Sequence, residues 1–254
     1  MKNYVVESNY MKILKSATKG TQVKYEKDGY WYKINKNGNE GLAEYLVSLL
    51  LVCSTLKQTE YVAYEYCRIN NKMGCRSKSF NENGYEFVSF HLLYMLITGK
   101  ENLSDYLYTF DEPKDRLQYL LEIAETFHVP NIMNYMKKIL YLDMLIANHD
   151  RHMSNIGILL NSNGEAKTAP IFDNGLSLGT DGISTVTSCT ISGSFEQQIL
   201  AFGYPIESPF LVDYDLFYEK TKDISCKELE FLLDNMKKYE DIFRIGEHKV
   251  CSNS

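Results

Sequence analysis

The residue types best suited to chemistry fall in one stretch, Asn148-His149-Asp150-Arg151-His152-Met153-Ser154-Asn155. An apolar hairpin pattern follows (Ile156 to Leu160, a turn from Asn161 to Gly164, Ala169 to Phe172), and then Asp173-Asn174-Gly175. An Asp with an Asn five residues on, a hairpin, and a second Asp followed two residues later by Gly is the order of parts that phosphoryl transfer requires. Asp150 can accept a hydroxyl proton. The Asn155 carbonyl oxygen and the Asp173 carboxylate are hard oxygen ligands of the kind Mg²⁺ takes, and Gly175 permits the backbone to turn away. Each piece alone is ordinary turn chemistry, in which Asp and Asn bond their own backbone. Their conjunction carries the reading.

The elements that must position these groups are legible as periodicities. The segment from Asn131 to Ile146 is apolar in almost every direction, so it predicts a buried helix delivering the chain to Asn148. Asp143, an isolated carboxylate in that helix, is expected to tie down backbone amides of the following loop. Near the N-terminus, Tyr10 to Leu14, Gln22 to Glu26 and Tyr30 to Asn35 read as strands, the last two joined by Lys27-Asp28-Gly29 as a hairpin. Alternation along the final strand puts Trp31, Lys33 and Asn35 on one face. A helix then runs from Glu40, capped by Asn37 or Asn39, with Glu40 and Glu44 on one side of it. Tyr61 to Asn70 and Gly74 to Phe80 read as strands. Helices are predicted over Phe87 to Thr98, from Pro113 (capped by Asp111) to Phe127, and after a Ser225/Glu228 capping box. The expected class is α+β, a small mixed lobe followed by a mainly helical one.

Composition bounds the function. With 254 residues, 44% hydrophobic and 24% charged, the chain reads as folded and globular rather than disordered or fibrous. A net charge of −6 gives no support for a sequence-independent grip on nucleic-acid phosphates. The longest apolar run, Leu49 to Val52 followed by Cys53, is far short of the roughly 18 residues of a membrane span, and Met1 to Leu14 lacks the apolar core of a secretory signal. Six cysteines without a CxxC pair read as reduced thiols, and the expected compartment is the cytoplasm.

The block LDMLIANHDRHMSNIGILL…APIFDNGLSLG, Leu142 to Gly179, resembles the catalytic core of the HipA-like serine/threonine kinases and, at greater distance, that of the phosphatidylinositol kinases. WYKINKNGNEGLAEYLVSLLL, Trp31 to Leu51, resembles the same family's strand with the nucleotide lysine and the helix after it. The resemblance covers roughly Ser16 to Gly179. It implies a two-lobed protein kinase-like fold, with residues 1–85 as the N-lobe and 86–254 as the C-lobe, that uses ATP and Mg²⁺. Asp150 would be the catalytic base, Asn155 and Asp173 would bind the metal, and Lys33 would contact the nucleotide phosphates. Glu40 would hold Lys33; periodicity equally permits Glu44, which ranks second. Ser79 and Phe80 would meet the adenine with their backbone.

Ser16, Thr18 and Gly20 lie in the candidate phosphate loop, which has a single Gly and no GxGxxG, and Ser16 and Thr18 are also candidate autophosphorylation sites. The acceptor would be a Ser or Thr hydroxyl on a protein. The setting would be a toxin paired with an antitoxin, or an effector delivered into a host. Thr180 to Ser194 reads as an activation segment, a substrate platform or a plain surface loop. Other readings are a lipid kinase, an HD-type phosphohydrolase built on His149-Asp150 with His91, His128 or His152, and an inactive binding module. The hydrolase is all-helical, which the hairpin after Asn155 opposes. The presence of all four of Lys33, Asp150, Asn155 and Asp173 gives the inactive module no support.

Overall fold

The computed structural model of the chain describes residues 1–12, 22–36, 38–81, 84–180 and 208–239. Six strands form the first sheet: β1 (Asn3–Tyr4), β2 (Met11–Lys12), β3 (Lys24–Lys27), β4 (Tyr30–Ile34), β5 (Tyr64–Ile69) and β6 (Lys72–Lys78), in the order β1-β5-β6-β4-β3-β2. All neighbours are antiparallel except β1 with β5. The β3–β4 turn is the expected one: Asp28 and Gly29 both carry positive φ, 52° and 74°, which matches a two-residue hairpin to the twist of its strands. Tyr25, Tyr32, Ile34, Cys67, Ile69 and Val6 form an apolar layer on one face of this sheet. Lys33 therefore projects from the other.

Helix α1 (Glu40–Val52) packs on that other face. Its approach is close because two glycines meet. A Cβ on Gly41 would lie 2.6 Å from the Gly74 carbonyl carbon, and one on Gly74 would lie 2.2 Å from the Lys33 carbonyl oxygen. A side chain at Gly41 would lift α1 off β6, and one at Gly74 would push β6 against the backbone of β4.

A second sheet of β7 (Tyr85–Ser89), β8 (Gly157–Asn161) and β9 (Ala166–Thr168) is antiparallel, in the order β7-β8-β9. Around it lie α2 (Phe90–Thr98), α3 (Leu103–Leu107), α4 (Pro113–Thr126), α5 (Ile132–Ile146), α6 (Tyr214–Thr221) and α7 (Lys227–Lys238). One apolar cluster joins residues of α1, α2, α4, α5 and α7, including Leu46, Leu50, Phe90, Leu120, Leu142 and Leu232. Helix α5 is buried along most of its length, as its periodicity predicts.

Several boundaries differ from expectation. Phe87 to Ser89 are strand, not helix, because they pair with Leu159 to Gly157. The helix begins at Phe90, where the Ser89 side chain accepts from the Leu92 amide. Ala169 to Phe172 is not the return strand of the second hairpin; Ala166–Thr168 is, and Ile171 instead bridges Tyr61. Helix α4 starts at Pro113 as expected, but Glu112 rather than Asp111 holds its cap position, and helices α3 and α6 lie outside the expected elements. The Ser225/Glu228 box does not form. Cys226 holds the cap position of α7, and Glu228 is buried where it accepts from the Asn39 side chain at the start of α1. Asn39 is the cap residue of α1 by position, but its side chain is committed to that contact. The strand read over Tyr10 to Leu14 begins at Met11 and Lys12, and its remainder lies outside the described residues, as does the end of the last helix toward Phe243.

Candidate active site

The site forms where β4, α1 and the Asp173-Asn174-Gly175 segment meet. Lys33 Nζ lies 2.7 Å from Glu44 Oε1 and 2.7 Å from Asp173 Oδ1, and donates to the Tyr64 hydroxyl at 3.2 Å. Glu44 uses its second oxygen to accept the Asn174 amide at 2.9 Å, so one carboxylate ties α1 to the lysine and to the Asp173-Asn174-Gly175 segment together. The expectation for Glu40 is corrected here. Its carboxylate accepts the backbone amides of Lys36 and Gly38, both at 3.3 Å, while Glu44, one turn deeper, faces Lys33. Lys24, on β3 in register with Lys33, places its Nζ 3.5 Å from Asp173 Oδ2.

The electrostatics follow from burial and charge. Burial alone would lower the Lys33 pKa, but Asp173 and Glu44 reverse this and hold it well above the usual lysine value. Burial would likewise raise Asp173, yet Lys33 and then Lys24 hold its carboxyl far below the ordinary aspartate range. Burial is the largest influence on Glu44 and pushes it up against the pull of Lys33. The cluster is thus a buried lysine between two carboxylates, with Asp173 the firmly ionised one.

Asp173 itself carries a positive φ of 60°, so the chain turns at the Asp. Gly175 serves a different purpose from the one expected. A Cβ there would come within 3.2 Å of the Glu40 Cβ, and its lack of one lets the segment lie against α1.

The catalytic-loop candidates are held from α5. Ala147 ends that helix in a left-handed conformation, and Asn148, fully buried, donates to Asp143 Oδ1 at 3.0 Å and accepts from the Asp150 amide at 3.1 Å. The Asp143 carboxylate also takes the Arg151 guanidinium: Nε reaches Oδ2 at 3.0 Å and Nη2 reaches Oδ1 at 2.9 Å, with both residues fully buried. Asp143 therefore binds side chains rather than the loop's backbone amides, contrary to expectation. Arg151 continues to the Phe172 carbonyl and to Asn174 Oδ1, so it clasps the Asp173 segment to the loop bearing Asp150. A residue flanking Asp150 and an Asn beside Asp173 were the available signals for this clasp.

Asp150 is partly buried. Burial raises its pKa, opposed by His152, His149 and Arg151 and reinforced by Asp173. Asn155 is buried and turns its amide nitrogen toward the Asp150 carbonyl at 3.5 Å, which leaves its carbonyl oxygen outside that contact. That oxygen with the ionised Asp173 carboxylate is a hard donor set of the type Mg²⁺ takes.

The Phe80, Phe87 and Phe172 rings pack as a trio, with centroids 5.1 to 5.8 Å apart, beside Val62, Tyr64 and Cys75. The Ser79 amide donates to the Gly29 carbonyl at 2.8 Å, so it is engaged within the fold rather than offered outward. Ser16, Thr18 and Gly20 lie outside the described residues, as does the Thr180 to Ser194 segment beyond Thr180. His149 and Asp150 lie on the loop after α5, and among the described residues no three His, Cys, Asp or Glu side chains converge as a metal site, so the HD arrangement does not assemble there. No described helix is long and apolar enough to cross a membrane.

Comparison with known proteins places this geometry. No protein-family model matches the chain. It is similar to the serine/threonine-protein kinase CtkA of Helicobacter pylori, strain J99, at 28% identity over 175 residues, which cover 66% of this chain and 49% of that protein. The chain thus spans about half the length of that curated relative. The crystal structure of a Helicobacter pylori proinflammatory kinase CtkA superimposes with a TM-score of 0.62 at 17% identity, over 90% of this chain and 93% of that one. The fold is the two-lobed, kinase-like α+β fold, and the resemblance to HipA-like serine/threonine kinases stands with both findings.

Proposed function

We propose that the chain is an ATP-dependent protein serine/threonine kinase of HipA-like type, with residues 1–85 as the nucleotide lobe and 86–254 as the lobe carrying the catalytic loop. The observation that carries the reading is the convergence of Lys33, Glu44 and Asp173, clasped through Arg151 to the loop bearing Asp150 and Asn155. Similarity to a named serine/threonine kinase supports it.

In this reading Lys33 fixes the nucleotide phosphates, and Glu44 holds the lysine in place from α1. Asn155 and Asp173 would hold Mg²⁺, which when bound neutralises phosphate charge. Asp150 accepts the proton of the acceptor hydroxyl as that oxygen attacks the γ-phosphorus. Its raised pKa makes it a better base than a solvated aspartate. The Phe80, Phe87 and Phe172 cluster, with the backbone at Phe80, offers an apolar seat for the adenine. The acceptor is a Ser or Thr hydroxyl of a protein, including Ser16 or Thr18 of this chain.

The test is incubation of the protein with Mg²⁺ and γ-labelled ATP beside Asp150→Ala, with phosphate located by mass spectrometry. Label on a Ser or Thr, reduced on the order of 10²–10⁴-fold in the variant while nucleotide binding persists, is the expected result. Equal label in both proteins would overturn the assignment of the base, and failure of the wild type to bind Mg·ATP would overturn the kinase reading.

A further inference from the structure

A cleft of about 480 Å³ lies where α2 gives way to α3, and the nucleotide and metal roles above make no use of it. Its lining includes Tyr94, Lys100, Glu101, Asp105, Tyr106 and Thr109. Tyr106 belongs to a cluster of rings, with centroids 4.9 Å from Tyr119, 5.5 Å from Phe110 and 5.9 Å from Tyr94. Held on these sides, it is still 36% exposed. Five of the fourteen exposed large hydrophobic side chains among the described residues fall between Leu92 and Tyr108, so apolar exposure is concentrated in these two helices and the turns beside them. Concentration of that kind marks a contact surface rather than ordinary scatter.

The charges at the cleft select the occupant. Glu101 and Asp105 have no ion pair or side-chain hydrogen bond among the described residues, whereas Glu26, Glu60, Glu65 and Glu219 each pair with a lysine or arginine. The segment from Lys100 to Thr126 has seven acids against three bases, a net −4 in a chain whose total is −6. What enters must be cationic and must offer a flat face to a tyrosine ring. A guanidinium does both, pairing with carboxylates at its edge while its plane stacks on the ring. The chain uses this combination in its own fold. Arg76 lies 4.0 Å from the Tyr4 ring centroid and 4.7 Å from that of Tyr30 while it bonds Glu65, and Arg116 lies 5.6 Å from that of Tyr108.

The other end of α2 touches the loop bearing Asp150: the Phe90 amide donates to the Ile156 carbonyl at 2.9 Å and the His91 amide to the Met153 carbonyl at 3.1 Å. Nine helical residues rise roughly 13 Å, a span that about four extended residues cover. We infer that the cleft docks an arginine side chain of the protein substrate, a few residues away from the hydroxyl that receives phosphate, and so selects basic acceptors. The substrate role rests on the kinase reading, and the test separates the two. Fluorescence anisotropy measures binding of a labelled peptide of Arg, Ala and Ser, and of the same peptide with citrulline for Arg, to wild type, Glu101→Gln/Asp105→Asn, Tyr106→Leu and Tyr106→Phe. The Arg peptide is expected to bind wild type about tenfold more tightly than the citrulline peptide, and to lose about tenfold in the double variant. Tyr106→Leu should weaken it by roughly threefold, and Tyr106→Phe, which keeps the ring, should retain it. With Mg·ATP present, the double variant should raise KM for the Arg peptide by about tenfold and leave kcat and Mg·ATP affinity within about twofold.

Equal binding of the two peptides by wild type, or of the Arg peptide by wild type and the double variant, would overturn the docking site and leave the kinase reading standing. Selective binding without transfer to the peptide, by a protein that phosphorylates itself, would overturn the substrate role. Selective binding by a wild type that neither takes up Mg·ATP nor transfers phosphate would remove the kinase reading, and the substrate role with it.

Discussion

Replacing Asp143 with Ala is expected to be among the most destabilising single changes in the chain, although Asp143 touches neither nucleotide nor acceptor. The carboxylate is fully buried on α5 and accepts from Arg151 Nε and Nη2 and from Asn148 Nδ2. Its removal leaves a guanidinium with no exposure to water facing a void, a situation that costs about 3–5 kcal/mol when one member of a buried pair is lost. Domains of this size are stable by roughly 5–15 kcal/mol in all, so about a fifth or more of the total is at stake. Urea unfolding followed by fluorescence of the single tryptophan, Trp31, and by circular dichroism reads the change. With a slope of about 2 kcal/mol per molar urea the midpoint should fall by roughly 2 M.

The double variant Asp143→Leu/Arg151→Met supplies the control. With both charges gone no ion is stranded, and the loss should be smaller than the sum of the singles. Some loss remains because the Phe172 carbonyl and Asn174 Oδ1 forfeit their donor. A midpoint shift below about 0.5 M for Asp143→Ala, or a double variant as unstable as the summed singles, would refute the view that this buried pair organises the loop bearing Asp150.

Exchanging the two glutamates of α1 separates their roles. Glu44→Gln should weaken Mg·ATP binding on the order of tenfold by loosening Lys33, whereas Glu40→Gln, which disturbs backbone amides at the helix start, should stay within about twofold in the same titration. Asp173→Asn should be less stable than wild type at pH 7, because Lys24 loses the carboxylate it pairs with and Lys33 keeps that of Glu44. The folded pKa of Asp173 is depressed, so its contribution is fully present above the unfolded value of about 3.9 and is lost as pH falls below it. The gap between the thermal melts of the two proteins should therefore narrow steadily as pH falls from about 4 to about 2, and a gap that stays constant over that range would refute the ion-pair account.

The catalytic candidates were legible because their signal is local: Asp150, Asn155 and Asp173 announce themselves by spacing along one stretch of chain. Lys33 was legible only with them, since a lone strand lysine is ordinarily a solvated one. Glu44 could not be separated from Glu40 by periodicity, because residues four apart share a side of a helix. The choice is made by the Gly41–Gly74 approach and by the first-turn amides that occupy Glu40, and both depend on chain brought in from elsewhere. The partner of Asp143 was hidden for the same reason, as Arg151 folds back across the end of α5. Phe87 to Phe90 shows the limit for secondary structure. A short apolar run fits helix or strand equally well, and β8, some seventy residues downstream, decides between them. Helix α3, five residues long, is too short to show a period.

The division into two lobes does not make two independent folding units. Helix α1, which lies on the first sheet, contributes Leu46, Val47, Leu50 and Leu51 to the same apolar cluster as the helices of the other lobe. The chain also crosses back in two short bridges, Tyr61 with Ile171 and Ser54 with Val212. A cut between the lobes would expose the inner faces of both. Melting should therefore be a single cooperative event, with amide exchange in β6 and α5 governed by one common opening rather than by two.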